Sequence, residues 1–279
     1  MKRIGFAYNP TQEAALELNE RGIGWCVANG VEAWSSPAER TREHFEQLAE
    51  SDAIVVLGGD GTFLRAARAI ADVDVPILGV NLGKVGFLSK AEADDLEDVV
   101  GLLHAGDYEL ERRITLEARV FHADGSTDGK VYIALNEAAV VRGSHAQVMR
   151  VIVDVGDSRV ATYICDGVVI ASPTGSTGYS FSAGGPIIEP TARSLVVTPI
   201  AAYLTPLRSS VVGPQHVVTA TVKAAYDCLV SIDGREDVIL RVGDRVEVRA
   251  REKPIRFIQP RGALPFWDLL RQKATLLPD

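Results

Sequence analysis

The stretch Gly58-Gly59-Asp60-Gly61-Thr62 constrains this chain more than any other. It follows the apolar run Ala53 to Leu57 and precedes Phe63-Leu64-Arg65-Ala66-Ala67-Arg68, whose composition is helical. A buried strand is therefore expected to end in a glycine turn, with a helix restarting beside a lone carboxylate. Glycine admits positive φ and lets a ligand approach the backbone. Unpaired N–H groups at a helix start favour an anion, phosphate above all. An acid in such a cradle repels the anion unless a metal or a proton transfer engages it. A phosphotransfer site reconciles the two, with Gly58, Gly59, Gly61 and Thr62 as phosphate loop. The same residues also fit a tight turn in which Asp60 only caps the helix.

Strand and helix patterns alternate through the first third of the chain. Ile4 to Tyr8 reads as a strand, with Asn9-Pro10 opening a helix over Thr11 to Glu20. Gly24 to Ala28 reads as a weaker strand. Ser36-Pro37-Ala38-Glu39 has capping-box spacing, so a helix is predicted over Pro37 to Glu50. A helix from Thr62 to Ile70, a strand from Ile77 to Val80, a glycine-bearing loop and a helix near Asp94 to His104 follow. This alternation predicts an α/β domain, a parallel sheet with helices on both faces.

From about Arg113 the texture changes to short alternating or β-branched runs separated by turns such as Asp124-Gly125, Gly156-Asp157, Asp233-Gly234 and Gly243-Asp244. An all-β, sandwich-like domain over 113–262 is predicted, its last strand near Ile255 to Ile258. One loop-rich segment, Asp166 to Pro190, interrupts it. The tail Pro265 to Lys273 reads as a helix with Phe266, Trp267, Leu269 and Leu270 on one face. The expected division is 1–112 plus a returning 263–279, and 113–262.

Composition excludes several classes. With 29 Lys and Arg against 37 Asp and Glu, the 279-residue chain carries a net charge of −8, which argues against general binding to nucleic acid or an anionic membrane. The three cysteines, Cys26, Cys165 and Cys228, are too scattered for a disulfide framework or a thiolate metal site, and suit a reducing cytoplasm. His44, His104, His122, His145 and His216 lack ligand spacing. No signal-peptide core and no membrane-length apolar run is read. Walker A, G-x-G-x-x-G and H-E-x-x-H signatures do not occur.

Two further stretches carry chemistry. Asn136-Glu137 ends an otherwise apolar predicted strand. The amide can pair with a nucleobase edge and the carboxylate can accept from two ribose hydroxyls, although a plain strand end facing water fits as well. The long segment Asp166 to Pro186 is dense in glycine and small hydroxyls, which bury little and lose much backbone entropy on ordering. A loop of that kind in a compact domain is usually functional. Tyr179, Phe181 and Pro186 point to an ordered loop whose amides, with Thr177, Tyr179 and Ser182, suit a flat polar ligand or its sugar.

These elements, in this order, resemble the NAD kinase family over nearly the whole chain. The matching residues are Gly58 to Thr62, Asn81 to Leu88, Asn136-Glu137, Asp166-Gly167, Pro173 to Thr177 with Tyr179, and Ser182 to Pro186. The resemblance implies phosphorylation of the adenosine 2′-hydroxyl of NAD to give NADP, with ATP or polyphosphate as donor and Mg²⁺ or another divalent metal. Asp60 corresponds to the catalytic base, with Gly61 and Arg65 beside the ligand. Asn136 and Glu137 would hold the adenine end and Asp166 the nicotinamide end. Thr177, Gly178, Tyr179, Ser180, Phe181 and Ser182 would line the dinucleotide. A homo-oligomer, dimer or tetramer, is implied by analogy.

The chain departs from the family pattern at Gly178, where alanine is usual, and at Ile164, where a basic residue is common. It departs again at Ala202-Tyr203 in place of Pro-His, and at Arg235 in place of glutamine. A lipid kinase would share Asp60 and its glycines without needing Asn136-Glu137. A dinucleotide-binding module without turnover would keep the pocket alone.

Overall fold

The computed structural model describes residues 1–83, 86–143, 147–205 and 207–275. Lys84 and Val85, within the Asn81 to Leu88 stretch, and His145 lie outside the described residues. The chain forms two compact units, Met1–Arg112 with Ile255–Asp279, and Arg113–Pro254.

In the first unit, Arg3–Tyr8 pairs in parallel with Glu32–Pro37 on one side and Ala53–Leu57 on the other, and Ala53–Leu57 pairs in parallel with Ile77–Asn81. Among the described residues this sheet has seven strands. Ala53–Leu57 is buried along its whole length, as a strand covered on both faces must be. On one face Ile4, Phe6, Val55, Leu57 and Leu78 pack with Leu18 and Cys26 of helix Glu13–Ala28 and Leu96 to Leu103 of helix Leu96–Ala105. On the other, Phe63 of helix Asp60–Ile70 lies against Gly79 and stacks on Phe257 at 5.0 Å.

Several local expectations change here. Gly24 to Ala28 is not a strand but the last turn and a half of helix Glu13–Ala28, because Cys26 is buried in the core and Gly22 lets the helix settle on Phe6. Asn9 does not cap that helix. Its side chain forms a local turn with the Thr11 amide at 3.2 Å. Ser36 lies inside the edge strand Glu32–Pro37 and bonds Thr41 Oγ1 at 3.1 Å, so the expected long helix is a 3-10 turn, Ala38–His44, followed by the short helix Phe45–Ala49.

The strand Ile255–Pro260 belongs to this first sheet, where Phe257 pairs with Ile77, and not to the β domain in which the sequence pattern put it. Helix Phe266–Thr275 follows in the same unit, with Leu269 buried and Phe266 6.3 Å from Phe87.

The second unit comprises two antiparallel sheets, each six-stranded among the described residues. Alternate residues of both, among them Leu116, Val120, Val140, Val151, Val168, Ile170, Val218 and Val230, share one buried core, the arrangement of a β-sandwich. Strands lie where none was expected at Glu137–Arg142, Leu195–Ile200 and the short edge strand Ser210–Val212. Another, Gly167–Ala171, occupies the start of the supposed loop-rich segment. Val169 and Ala171 face away from the main core into a second cluster with Ala139 and Val196, against which Ile188 packs. Burial on both faces removes the polar alternation that would have marked the longer strands.

Candidate active site

Gly58 takes φ +152°, and a Cβ there would stand 2.7 Å from Thr62 Oγ1. Glycine is therefore required where strand gives way to helix. The helix opens at Asp60, two residues earlier than expected, with Gly59 as its N-cap and no side-chain capping bond. The capping reading of Asp60 fails on this point. Thr62 is buried, its amide donating to the Gly59 carbonyl at 2.9 Å, and the first amides of the helix keep the orientation that receives an anion.

The Asp60 side chain is open to solvent at its edge. Protein packed around it raises the carboxyl pKa by desolvation, against the opposing pull of backbone bonds from Leu88 and Phe87 and of the Lys273 charge. Gly86 completes the seat, since a Cβ there would overlap Asp60 Oδ1. The Gly86 amide in turn donates to Ser89 Oγ at 2.7 Å. Arg65 reaches Thr62 Oγ1 at 3.3 Å and pairs with Glu39 at 3.6 Å.

In the second unit, Asn136 precedes and Glu137 begins strand Glu137–Arg142, instead of ending the strand before it. The feature missed in the sequence is Asp233. Its buried carboxylate accepts the amides of Leu135, Asn136 and Glu137 at 3.0, 2.8 and 3.1 Å. Asp233-Gly234 looked like an ordinary hairpin turn, and Asp233 does adopt φ +50°, but its side chain fixes the pair across the sheet. Burial, and then the Asp233 charge, push the Glu137 carboxyl up to about 8. Glu137 Oε2 and Asn136 Oδ1 are buried with no hydrogen-bond partner among the described residues. Orphaned polar atoms of this kind are costly unless a ligand or water meets them.

Asp166 pairs with Arg142 at 3.0 Å, and the Arg142 amide donates to the Asp166 carbonyl at 3.0 Å. The sequence had not singled out Arg142, which extends from the unrecognised strand. Burial raises the Tyr179 phenol, with Asp166 and Glu137 adding to the shift and Arg142 opposing it. Asp166, Arg142, Glu137 and Tyr179 thus share one neighbourhood.

The segment after Gly167–Ala171 is ordered by internal bonds. Ser176 Oγ donates to the Pro173 carbonyl at 2.6 Å and accepts the Ile188 amide at 2.9 Å. Gly175 packs on Asn136 so closely that a Cβ would overlap its carbonyl oxygen. Thr177 Oγ1 donates to the Thr174 carbonyl at 3.3 Å, and Tyr179, Phe181 and Ser182 are exposed. Ser180 departs from the expected ligand-lining set. It is wholly buried and its hydroxyl meets Thr198 Oγ1 at 3.0 Å, because its helical turn directs it into the sheet. A Cβ on Gly178 would lie 3.5 Å from Glu137 Oε2, so space exists for the family's alanine. Ile164 and Tyr203 are bridge partners, the Tyr203 amide donating to the Ile164 carbonyl at 2.8 Å. Arg235 is exposed.

Asp60 thus stands at the first position of a helix that follows a glycine turn, with its carboxylate held by the Phe87 and Leu88 amides. Comparison with known proteins gives the class. Residues 4–108 match the ATP-NAD kinase N-terminal domain and residues 135–260 the ATP-NAD kinase C-terminal domain. The NAD kinase of Heliobacterium modesticaldum is 39% identical, with 98% of each chain covered. That of Caldanaerobacter subterraneus is 34% identical, with 99% of each covered. A crystal structure of an NAD kinase from Archaeoglobus fulgidus in complex with ATP matches with a TM-score of 0.79 at 26% identity, covering 98% of this chain and 99% of that one. Yeast NADH kinase complexed with NADH gives a TM-score of 0.87 over 100% of this chain and 89% of that one, at 19% identity, a likeness of fold alone. The chain belongs to the NAD kinase family. It is a phosphotransferase with an alcohol acceptor, phosphorylating NAD to NADP.

Proposed function

We propose that this chain transfers the γ-phosphoryl group of ATP to the adenosine 2′-hydroxyl of NAD with Asp60 as general base. The observation that supports the role most is the seat of Asp60, held by the Phe87 and Leu88 amides yet open to solvent. A ribose hydroxyl is a weak nucleophile, and a carboxylate within hydrogen-bond reach orients it and accepts its proton. The O2′–P bond forms as the bond from Pγ to its bridging oxygen breaks. ADP leaves, and the hydroxyl proton passes to Asp60. Desolvation raises the basicity of Asp60. In-line phosphoryl transfer draws most of its rate from positioning and charge neutralisation.

In this reading the first unit carries the donor site and the base, with Gly58, Gly59, Gly61 and Thr62 shaping the phosphate loop and Arg65 close by. The second unit binds NAD. Asn136 and Glu137 hold the adenosine end, supported by their orphaned Oδ1 and Oε2. Asp166, steadied by Arg142, takes the nicotinamide end. Thr177, Gly178, Tyr179, Phe181 and Ser182 line the dinucleotide. ATP as donor is supported by the archaeal NAD kinase in complex with ATP.

Among the described residues no three His, Cys, Asp or Glu side chains converge as a metal-binding set. The residues therefore do not fit a protein-built cage, and a divalent ion fits as a partner of the donor's phosphate oxygens, the usual manner of Mg²⁺. There it would neutralise charge on the transferring group.

A reducing cytoplasm suits the three buried, free cysteines, and no helix among the described residues is long and apolar enough to cross a membrane. Self-association is supported by exposed Tyr203, Leu204, Leu207 and Val211 around the edge strand Ser210–Val212. Light scattering on a size-exclusion column tests it.

The functional test is incubation of purified protein with ATP, Mg²⁺ and NAD, with NADP read by an NADP-specific dehydrogenase. NADP should accumulate with equimolar ADP. Tight NAD binding without NADP, or a phosphorylated lipid in its place, would overturn the reading.

A further inference from the structure

The C-terminal helix Phe266–Thr275 lies on the segment that seats Asp60. Phe266 packs 6.3 Å from Phe87, Leu269 is buried beneath the helix, and the Lys273 ammonium sits 5.3 Å from the centroid of the Phe87 ring. Phe87 is the residue whose amide, with that of Leu88, bonds the Asp60 carboxylate, and the carboxylate lies so close to neighbouring Gly86 that a Cβ there would overlap it. The helix thus clamps the ring of the residue whose backbone holds the base.

We propose that Lys273 is a positioning residue for phosphoryl transfer, its ammonium fixed over Phe87 so that the Asp60 carboxylate stays aligned and ionised. The proposal rests on Asp60 being the base. A cation over an aromatic face is attracted by the ring's quadrupole, which confines a flexible lysine to one place.

Among the described residues, three arginines on this helix and the turn Ala38–His44 are in ion pairs. Arg65 pairs with Glu39 at 3.6 Å, Arg40 with Glu43 at 2.9 Å and Arg42 with Asp72 at 3.3 Å. The Lys273 charge favours the ionised Asp60 carboxylate. Desolvation pushes the other way, so removing Lys273 leaves desolvation opposed by the two amides alone.

Lys273→Met keeps the apolar stem on Phe87 and deletes the charge, while Lys273→Arg restores it. For Lys273→Met we expect kcat to fall about 10- to 100-fold with NAD affinity by titration calorimetry within a few-fold of wild type. The acidic limb of the kcat/KM profile should move to higher pH, since the carboxylate now protonates more easily. Lys273→Arg should recover both the rate and the limb, and the melting temperature should hold. In an Asp60→Asn background the lysine substitution should have no further effect, the mark of two residues acting as a unit.

Unchanged kcat and an unmoved limb in Lys273→Met overturn the proposal. So does a loss of activity that tracks a lowered melting temperature with no shift of the limb, which would make Lys273 a packing residue only. Full turnover by Asp60→Asn alone would overturn the general-base reading instead, so the two failures are distinguishable.

Discussion

The Asp233 carboxylate accepts the Glu137 amide at 3.1 Å while its charge helps hold the Glu137 side chain neutral. One acid thus fixes the backbone of the other and raises its pKa. Asp233→Asn should cost about 1–3 kcal/mol of stability, because a neutral amide is a poorer acceptor for three buried amides. Chemical denaturation against wild type checks it.

The same pair sets a pH dependence. The folded pKa of Glu137, about 8, lies above its ordinary 4.5, so the fold binds the proton more tightly than the unfolded chain does. The stabilisation is whole below pH 4.5 and is lost as pH rises through about 8. Without NAD, wild type should therefore lose stability relative to Glu137→Gln across that window, by an amount on the order of a few kcal/mol. Parallel denaturation curves at each pH measure it, and a constant difference would contradict the buried, neutral state.

Gly86→Ala tests the seat of the base without touching its chemistry. A Cβ at that position overlaps Asp60 Oδ1, so the carboxylate must move. A displacement near 1 Å is expected to lower kcat by about 10²-fold with NAD affinity little changed. Steady-state kinetics beside calorimetry separate the two.

Ser180 and Ser182 should respond in opposite ways. Ser180→Ala removes a buried bond to Thr198 and should cost about 1 kcal/mol with KM for NAD unchanged. Ser182→Ala, at an exposed position, should leave stability alone and raise KM for NAD. A raised KM in Ser180→Ala would return that residue to the ligand.

The α/β-then-β order of the chain was legible because exposed faces and turns mark period and punctuation. The strand into Gly58, the helix after it and the C-terminal helix all lie where the pattern indicated them. What stayed hidden was buried on both sides. Gly167–Ala171 and Leu195–Ile200 are covered by the sandwich core and by the segment around Ile188, so neither shows polar alternation. Ile255–Pro260 carries an ordinary strand signal, but nothing local reveals which sheet it joins. In the site, Asp60, Glu137 and Asp166 were visible as unusual acids in apolar or glycine-rich surroundings. Asp233 and Arg142 were not, because each side chain meets a partner distant in the sequence. Ser180 misled for the converse reason, since a hydroxyl between two aromatics gives no sign of which way a short helical turn points it.

The most direct test of the account is the single-turnover rate of NADP formation by Asp60→Asn, set beside its affinity for NAD. Loss of a general base should lower that rate by about 10² or more while the dissociation constant for NAD stays within a few-fold of wild type. Turnover equal to wild type at saturating ATP, Mg²⁺ and NAD would contradict the role of Asp60 on which the account of the site depends.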